Sequence, residues 1–123
     1  MLLETLIAAQ VLVNVDVETP EGDLYVQLCS EDTYMQTTCE HQAIQPAQAQ
    51  LSFAFEDVAP GQWAVMVWRD PEGDGEMATN LFGIPAEPVA IYGDPRALFG
   101  APSFSDSAVE IGEGEHAFSV DID

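Results

Sequence analysis

Alternation of apolar and polar positions dominates this chain, and helical periodicity is weak throughout. The clearest run lies near the N-terminus, where four valines at every second position share one face: Val11, Val13, Val15 and Val17. Because side chains alternate between the two faces of a β-strand, this run predicts a strand with one face in a core. Three later runs predict further strands through the same spacing of inward residues: Leu24, Val26 and Leu28; Leu51, Phe53 and Phe55; Phe118, Val120 and Ile122.

The segment from Trp63 to Trp68 is apolar at every position, which predicts a strand buried on both faces near the centre of its sheet. Ser107 to Ile111 predicts one more strand. Turn residues separate the strands at Thr19–Asp23, Pro60-Gly61 and Gly112–Glu115. Two stretches lack a strand pattern. The polar stretch from Cys29 to Gln48 is predicted as a loop, with or without one short helical turn. The second is a long connection from Arg69 to about Asp106 that is rich in Gly, Pro and Asp. The pattern therefore predicts an all-β fold, a single antiparallel β-sandwich of about seven strands spanning residues 1–123 as one domain.

Charge narrows the possible partners. The chain carries 22 acidic residues against two arginines and no lysine, for a formal net charge of -20. Nucleic-acid binding is excluded because phosphate backbones require cationic side chains. The same field repels anionic membrane surfaces and attracts cations, above all divalent ones. A simpler interpretation stays open, in which the acidity only keeps the protein soluble in a saline medium.

Two cysteines, Cys29 and Cys39, lie ten positions apart in the sequence, with no CxxC motif and no Cys-His cluster around them. Zinc binding is therefore disfavoured, and we expect a disulfide and an extracellular or periplasmic location. Two buried free thiols are the alternative.

Residues 1–6 fit either the trimmed end of a signal peptide or a lead-in to the first strand. Glu4 and the shortness of the apolar stretch argue against membrane insertion.

The segment from Asp70 to Asn80 carries the most informative chemistry. Acidic residues occupy every second position from Asp70 to Glu76, and Gly73 and Gly75 allow the backbone to curl so that alternate carboxylates converge. Calcium prefers such oxygen ligands, so we predict a calcium loop. Its predicted ligands are the side chains of Asp70, Glu72 and Asp74, the carbonyl of Glu76, and Asn80. The segment departs from an EF-hand at Glu72 and at Leu81, where a bidentate Glu is required. An acidic solvated turn is the alternative.

No sequence motif of a catalytic site is present, and the chain is predicted not to be an enzyme. His41 and His116 lie in a polar loop and beside the last turn, where surface positions are expected. Trp63 and Trp68 leave open a carbohydrate-stacking platform. Alternation places the two indoles on opposite faces of their strand, which argues against it.

Residues 60–104 resemble the secreted bacterial family named domain of unknown function 2141. The resemblance is carried by Pro60–Val65, Arg69-Asp70, the acidic loop through Asn80, Gly83–Pro88 and Pro102–Phe104. It implies an exported β-sandwich of the transthyretin (prealbumin) or carboxypeptidase-regulatory type, immunoglobulin-like in architecture, with no established activity. The family loop resembles His-Asp-x-Asn-x-Asn-Gly-x-x-Asp-x-Asn. Here Asp70, Gly75 and Asn80 match it, whereas Arg69, Glu72, Asp74 and Ala78 depart from it.

The function predicted from the sequence is that of a non-enzymatic exported β-sandwich with a calcium-binding acidic loop of structural role. Its predicted partner is a divalent cation. The alternative is an extracellular adhesion or self-assembly module. In that case the apolar N-terminal strand, Leu6 to Val17, pairs with a sheet edge of another copy or of a cell-surface protein.

Overall fold

The computed structural model describes residues 8–34, 38–71, 89–93 and 103–122. Within these ranges the chain forms eight strands and one short helix, in the order β1 (Ala9–Val17), β2 (Asp23–Cys29), β3 (His41–Pro46), β4 (Gln50–Val58), β5 (Gly61–Asp70), β6 (Val89–Ile91), α1 (Phe104–Ser107), β7 (Val109–Ile111) and β8 (Gly114–Ile122). The strands build two sheets. The first sheet has the order β4-β1-β8, and the second has the order β3-β2-β5-β6, with β7 also paired to β5. The predicted all-β sandwich is confirmed.

The main core lies between the two sheets. Strand β1 alternates as predicted, and its four valines face inward with 5% exposure or less. The inward residues of the other strands complete one cluster: Leu24, Val26, Leu28, Phe53, Phe55, Val58, Trp63, Val65, Val67, Ile111, Val120 and Ile122. Since burial of apolar area is the dominant favourable term in folding, this cluster fixes which face of each strand points inward.

Strand β5 is buried on both faces, which confirms its predicted central position. It pairs with β2 on one side and with β6 on the other, and its first three residues, Gly61–Trp63, pair with β7. On the outer side of the second sheet, a smaller core cluster joins Cys29, Cys39, Ala64 and Met66, and partly buried residues pack on it: Tyr34, Val89, Ile91 and Phe104. Val89 and Ile91 of β6 extend this outer face within the sheet, whereas Tyr34 of the disulfide loop and Phe104 of α1 cover it.

Three predictions of local structure were wrong. The polar stretch after β2 contains a strand, β3, at the edge of the second sheet. The long connection contains β6 and helix α1, which begins after Ser103; the Ser103 side chain accepts a hydrogen bond from the Asp106 backbone N–H at 3.2 Å. Ser107 belongs to α1, so the predicted strand from Ser107 begins instead at Val109. Short or polar strands lack the alternation by which longer buried strands are found.

The sandwich is not purely antiparallel, because β1 and β8 pair in parallel along their whole length, from Ala9 opposite Gly114 to Val17 opposite Ile122. Strand β4 pairs antiparallel with the other side of β1. Both edges of β1 are thus occupied within the chain. Residues 9–17 therefore have no free edge for pairing with the sheet edge of another copy. This removes the structural basis of the predicted self-assembly through these residues. Residues 1–7 lie outside the described residues.

Candidate metal site at the end of strand β5

The predicted calcium segment begins at the last residue of β5. Asp70 is fully buried, with 0% of its surface exposed, at the end of a strand held on both sides. In the β2–β5 register it stands directly opposite Asp23, the first residue of β2. Cross-strand partners share a face of the sheet and have Cβ atoms about 5 Å apart. Two acidic residues are therefore neighbours where the acidic segment starts.

The turn between β1 and β2 packs tightly against this end of β5. Gly22 has φ +78°, and a Cβ built on it would lie 2.1 Å from the Asp70 carbonyl oxygen. The Arg69 guanidinium donates a hydrogen bond to the carbonyl oxygen of Glu21 at 3.2 Å. The backbone N–H of Ala47 donates one to the carbonyl oxygen of Gly22 at 2.9 Å. The β1–β2 turn is thus held against the end of β5 by the close approach of Gly22 to the Asp70 carbonyl and by the Arg69 side chain.

Of the five predicted ligands, the structure places Asp70. The other four, Glu72, Asp74, Glu76 and Asn80, lie outside the described residues, so the calcium ligand set stays a prediction. Among residues 8–34, 38–71, 89–93 and 103–122, no three His, Cys, Asp or Glu side chains form a group that could hold a metal ion.

Sequence reasoning did not identify Asp23 as part of this site. The sequence pattern places Asp23 in a turn, where Asp is common for conformational reasons alone. Its relation to Asp70 depends on the antiparallel register of β2 and β5, which pairs residues that are far apart in the sequence. The apolar patterns of the two strands do not specify which residues stand opposite each other.

A disulfide joins Cys29, the last residue of β2, to Cys39, as the sequence predicts. The Cα atoms are 4.9 Å apart, and the sulfur atoms lie in the small outer core. The bridge closes the polar loop and fixes it beside the outer face of the second sheet. Within that loop the Tyr34 hydroxyl lies 2.8 Å from the Ser107 hydroxyl of α1, and burial raises the pKa of Tyr34.

The Glu40 carboxylate accepts several hydrogen bonds from residues at the start of the disulfide loop. It accepts hydrogen bonds from the Ser30 hydroxyl, from the Ser30 backbone N–H at 3.2 Å and from the Thr33 hydroxyl at 2.5 Å. Desolvation acts to raise the pKa of Glu40. The hydrogen bonds from Ser30 and Thr33 favour the charged form, outweigh desolvation and lower the pKa from 4.5 to about 2.

We expect the Glu40 contacts to persist well into acid. Because the folded pKa is below the unfolded value of 4.5, the charged carboxylate contributes stability that is fully present above pH 4.5 and is lost as the pH falls through about 2. The backbone amide proton shift of Ser30, followed by NMR against pH, should titrate with a midpoint near 2. Glu40→Gln should remove this titration, and Thr33→Val should move its midpoint toward 4.5. A wild-type midpoint at 4.5 would contradict the proposed hydrogen-bond network.

The remaining candidate residues pack as structural groups. Trp63 and Trp68 are 8% and 0% exposed, on opposite faces of β5, so neither indole is available as a carbohydrate platform. The His41 ring packs edge-on against Trp63, with ring centroids 5.4 Å apart. The His116 Nε2 lies 3.0 Å from the Gly112 carbonyl oxygen. In the part of the chain that the structure describes, no helix is long and apolar enough to cross a membrane.

Comparison with known proteins gives one match. No curated protein and no solved structure matches the chain. The model of one family matches residues 13–119, a span that begins within β1, ends within β8 and includes both cysteines and the whole acidic segment. The chain therefore belongs to the DUF2141 family, which is described as uncharacterised protein conserved in bacteria.

Proposed function

We propose that this protein is a non-enzymatic, exported β-sandwich domain that binds calcium through the segment from Asp70 to Asn80. The observation that carries the proposal is the position of Asp70, which is fully buried at the end of β5 and opposite Asp23 in the register. The acidic segment therefore starts from a fixed residue that already has an acidic neighbour.

Electrostatics favours a divalent cation at this end of the sheet. Acidic residues directly opposite each other on neighbouring strands repel when both are charged. Four more residues with potential oxygen ligands follow within ten positions of Asp70: Glu72, Asp74, Glu76 and Asn80. Calcium takes six to eight oxygen ligands and tolerates irregular geometry, which suits a Gly-containing segment. Its role would be structural, because bound calcium offsets carboxylate repulsion and orders the start of the long connection.

Export and the absence of catalysis have separate support. The disulfide between Cys29 and Cys39 suits an oxidising compartment, since such bridges are rare in reducing cytosol. The non-enzymatic assignment depends on the lack of a catalytic motif in the sequence. The packing of His41 against aromatic rings and the contact of His116 with the Gly112 carbonyl give both histidines a structural use.

Calcium binding by chelator-stripped protein tests the proposal. We expect a saturable calorimetric isotherm that survives high sodium chloride, and stabilisation of about 2.7 kcal/mol at a calcium concentration 100 times the Kd. Asp74→Ala should abolish this stabilisation, because it removes a predicted ligand. The matched control is Glu113→Ala, which removes one acidic charge from the exposed turn before β8 and should respond to calcium like the wild type.

Two results would refute this proposal. One is an Asp74→Ala variant whose thermal stability responds to calcium as strongly as that of the wild type. The other is weak heat that disappears in salt, because a diffuse field of carboxylates is screened by salt and a specific ligand cage is not.

A further inference from the structure

The outer face of the first sheet has an ordered pattern that neither the core nor the calcium proposal uses. The registers of β4, β1 and β8 align its side chains in rows across the three strands. One end carries an acidic row, in which Gln10 stands opposite Glu115 on β8. Glu56 of β4 lines the same place, next to the irregularity in the β1–β4 register between Ala9 and Val11. The next row is apolar and consists of Ala54, Leu12 and Ala117.

These two rows form a depression. Leu12 is 39% exposed, and the small side chains of Ala54 and Ala117 on either side leave the sheet surface low around it. The depression has a volume of about 370 Å³ and includes residues of both rows, among them Glu56 and Glu115. An exposed apolar floor with carboxylates at one end is the arrangement that binds a cationic group attached to an apolar one.

We propose that this depression is the docking site for an extended basic segment of a partner protein. In that segment, one residue separates a lysine or arginine from an apolar residue, in either order. Alternate side chains of an extended chain are about 7 Å apart, which is also the spacing of successive rows on this sheet face. The basic side chain then lies between Glu56 and Glu115, and the apolar side chain lies over Leu12.

Charge identifies the occupant as a different protein. The chain has no lysine, and one of its two arginines, Arg69, is only 7% exposed. A second copy would also bring a formal charge of -20 to an acidic surface. Repulsion between the copies therefore opposes docking of one on the other, whereas a basic segment is attracted.

The test is an NMR titration with the peptide acetyl-Ser-Lys-Ser-Leu-Ser-amide. We expect saturable shifts of the methyl groups of Leu12, Ala54 and Ala117. The same peptide with glutamate in place of lysine should cause none. The double variant Glu56→Gln with Glu115→Gln should weaken binding about fivefold, because it removes two exposed ion pairs.

A matched control separates this site from the general acidity. Asp16 and Asp121 stand opposite each other at the other end of the same face, beyond a polar row that contains Asn14 and Ser119. Asp16→Asn with Asp121→Asn removes the same charge but lies about 20 Å from the acidic row, more than two Debye lengths at physiological salt. It should change the Kd by less than about twofold. The absence of saturable shifts, or equal weakening by the two double variants, would overturn the proposal.

Discussion

Gly22→Ala should destabilise the protein by about 3 kcal/mol or more, because the new methyl group has no space and an unfavourable backbone conformation. Its Cβ would lie 2.1 Å from the Asp70 carbonyl oxygen and 2.6 Å from the Pro71 Cα. These are backbone atoms at the end of β5, so they cannot move aside as the tip of a flexible side chain can. Equilibrium unfolding in urea measures the loss as a lower midpoint at unchanged slope.

Gly93→Ala is the matched control for this substitution. Gly93 has φ +88°, close to the +78° of Gly22, but a Cβ built there meets nothing within 4 Å. The control therefore carries only the conformational cost of an alanine in the left-handed region, about 1–2 kcal/mol. Equal losses in the two variants would show that the contact with Asp70 contributes nothing. A larger loss in Gly22→Ala would confirm that the β1–β2 turn fixes the start of the proposed calcium segment.

The sequence was sufficient to predict the strands that build the main core. The alternation of four valines predicts β1, and the apolar run after the Pro60-Gly61 turn predicts β5 as a strand buried on both faces. In both cases burial selects the residues, so the pattern of apolar positions records the structure directly.

Edge strands and strand order could not be predicted in this way. Strand β3 has exposed or half-buried residues at all six positions, and an edge strand with one open side tolerates such polar residues and its terminal Pro46. The parallel pairing of β1 with β8 joins segments at opposite ends of the chain. Neither strand's own pattern depends on whether its neighbour runs parallel or antiparallel.

The candidate site shows the same division. Asp70 and the alternate acidic residues after it are predicted as ligands from spacing alone, because the residues of one loop are close in the sequence. Asp23 and Gly22 belong to the same end of the sheet through register and through a backbone contact. Both features are tertiary, and a single sequence holds no record of them.

Trp68→Ala should have the largest effect of the substitutions considered, a loss of about 3–5 kcal/mol in the free energy of unfolding. Trp68 is fully buried on the outer face of the second sheet and stacks on Tyr25, with ring centroids 4.0 Å apart. Trp68→Phe is the control: it keeps an aromatic ring for this stack, and the indole Nε1 that it removes has no hydrogen-bond partner in the described structure. We expect it to cost about 1–2 kcal/mol, measured by urea unfolding.

Because Trp68 is two residues before Asp70 on the same face, a loss near 1 kcal/mol for Trp68→Ala would mean that this face is only loosely packed. The proposed calcium segment would then start from a mobile strand end, and burial could no longer be the reason that Asp70 is held in place.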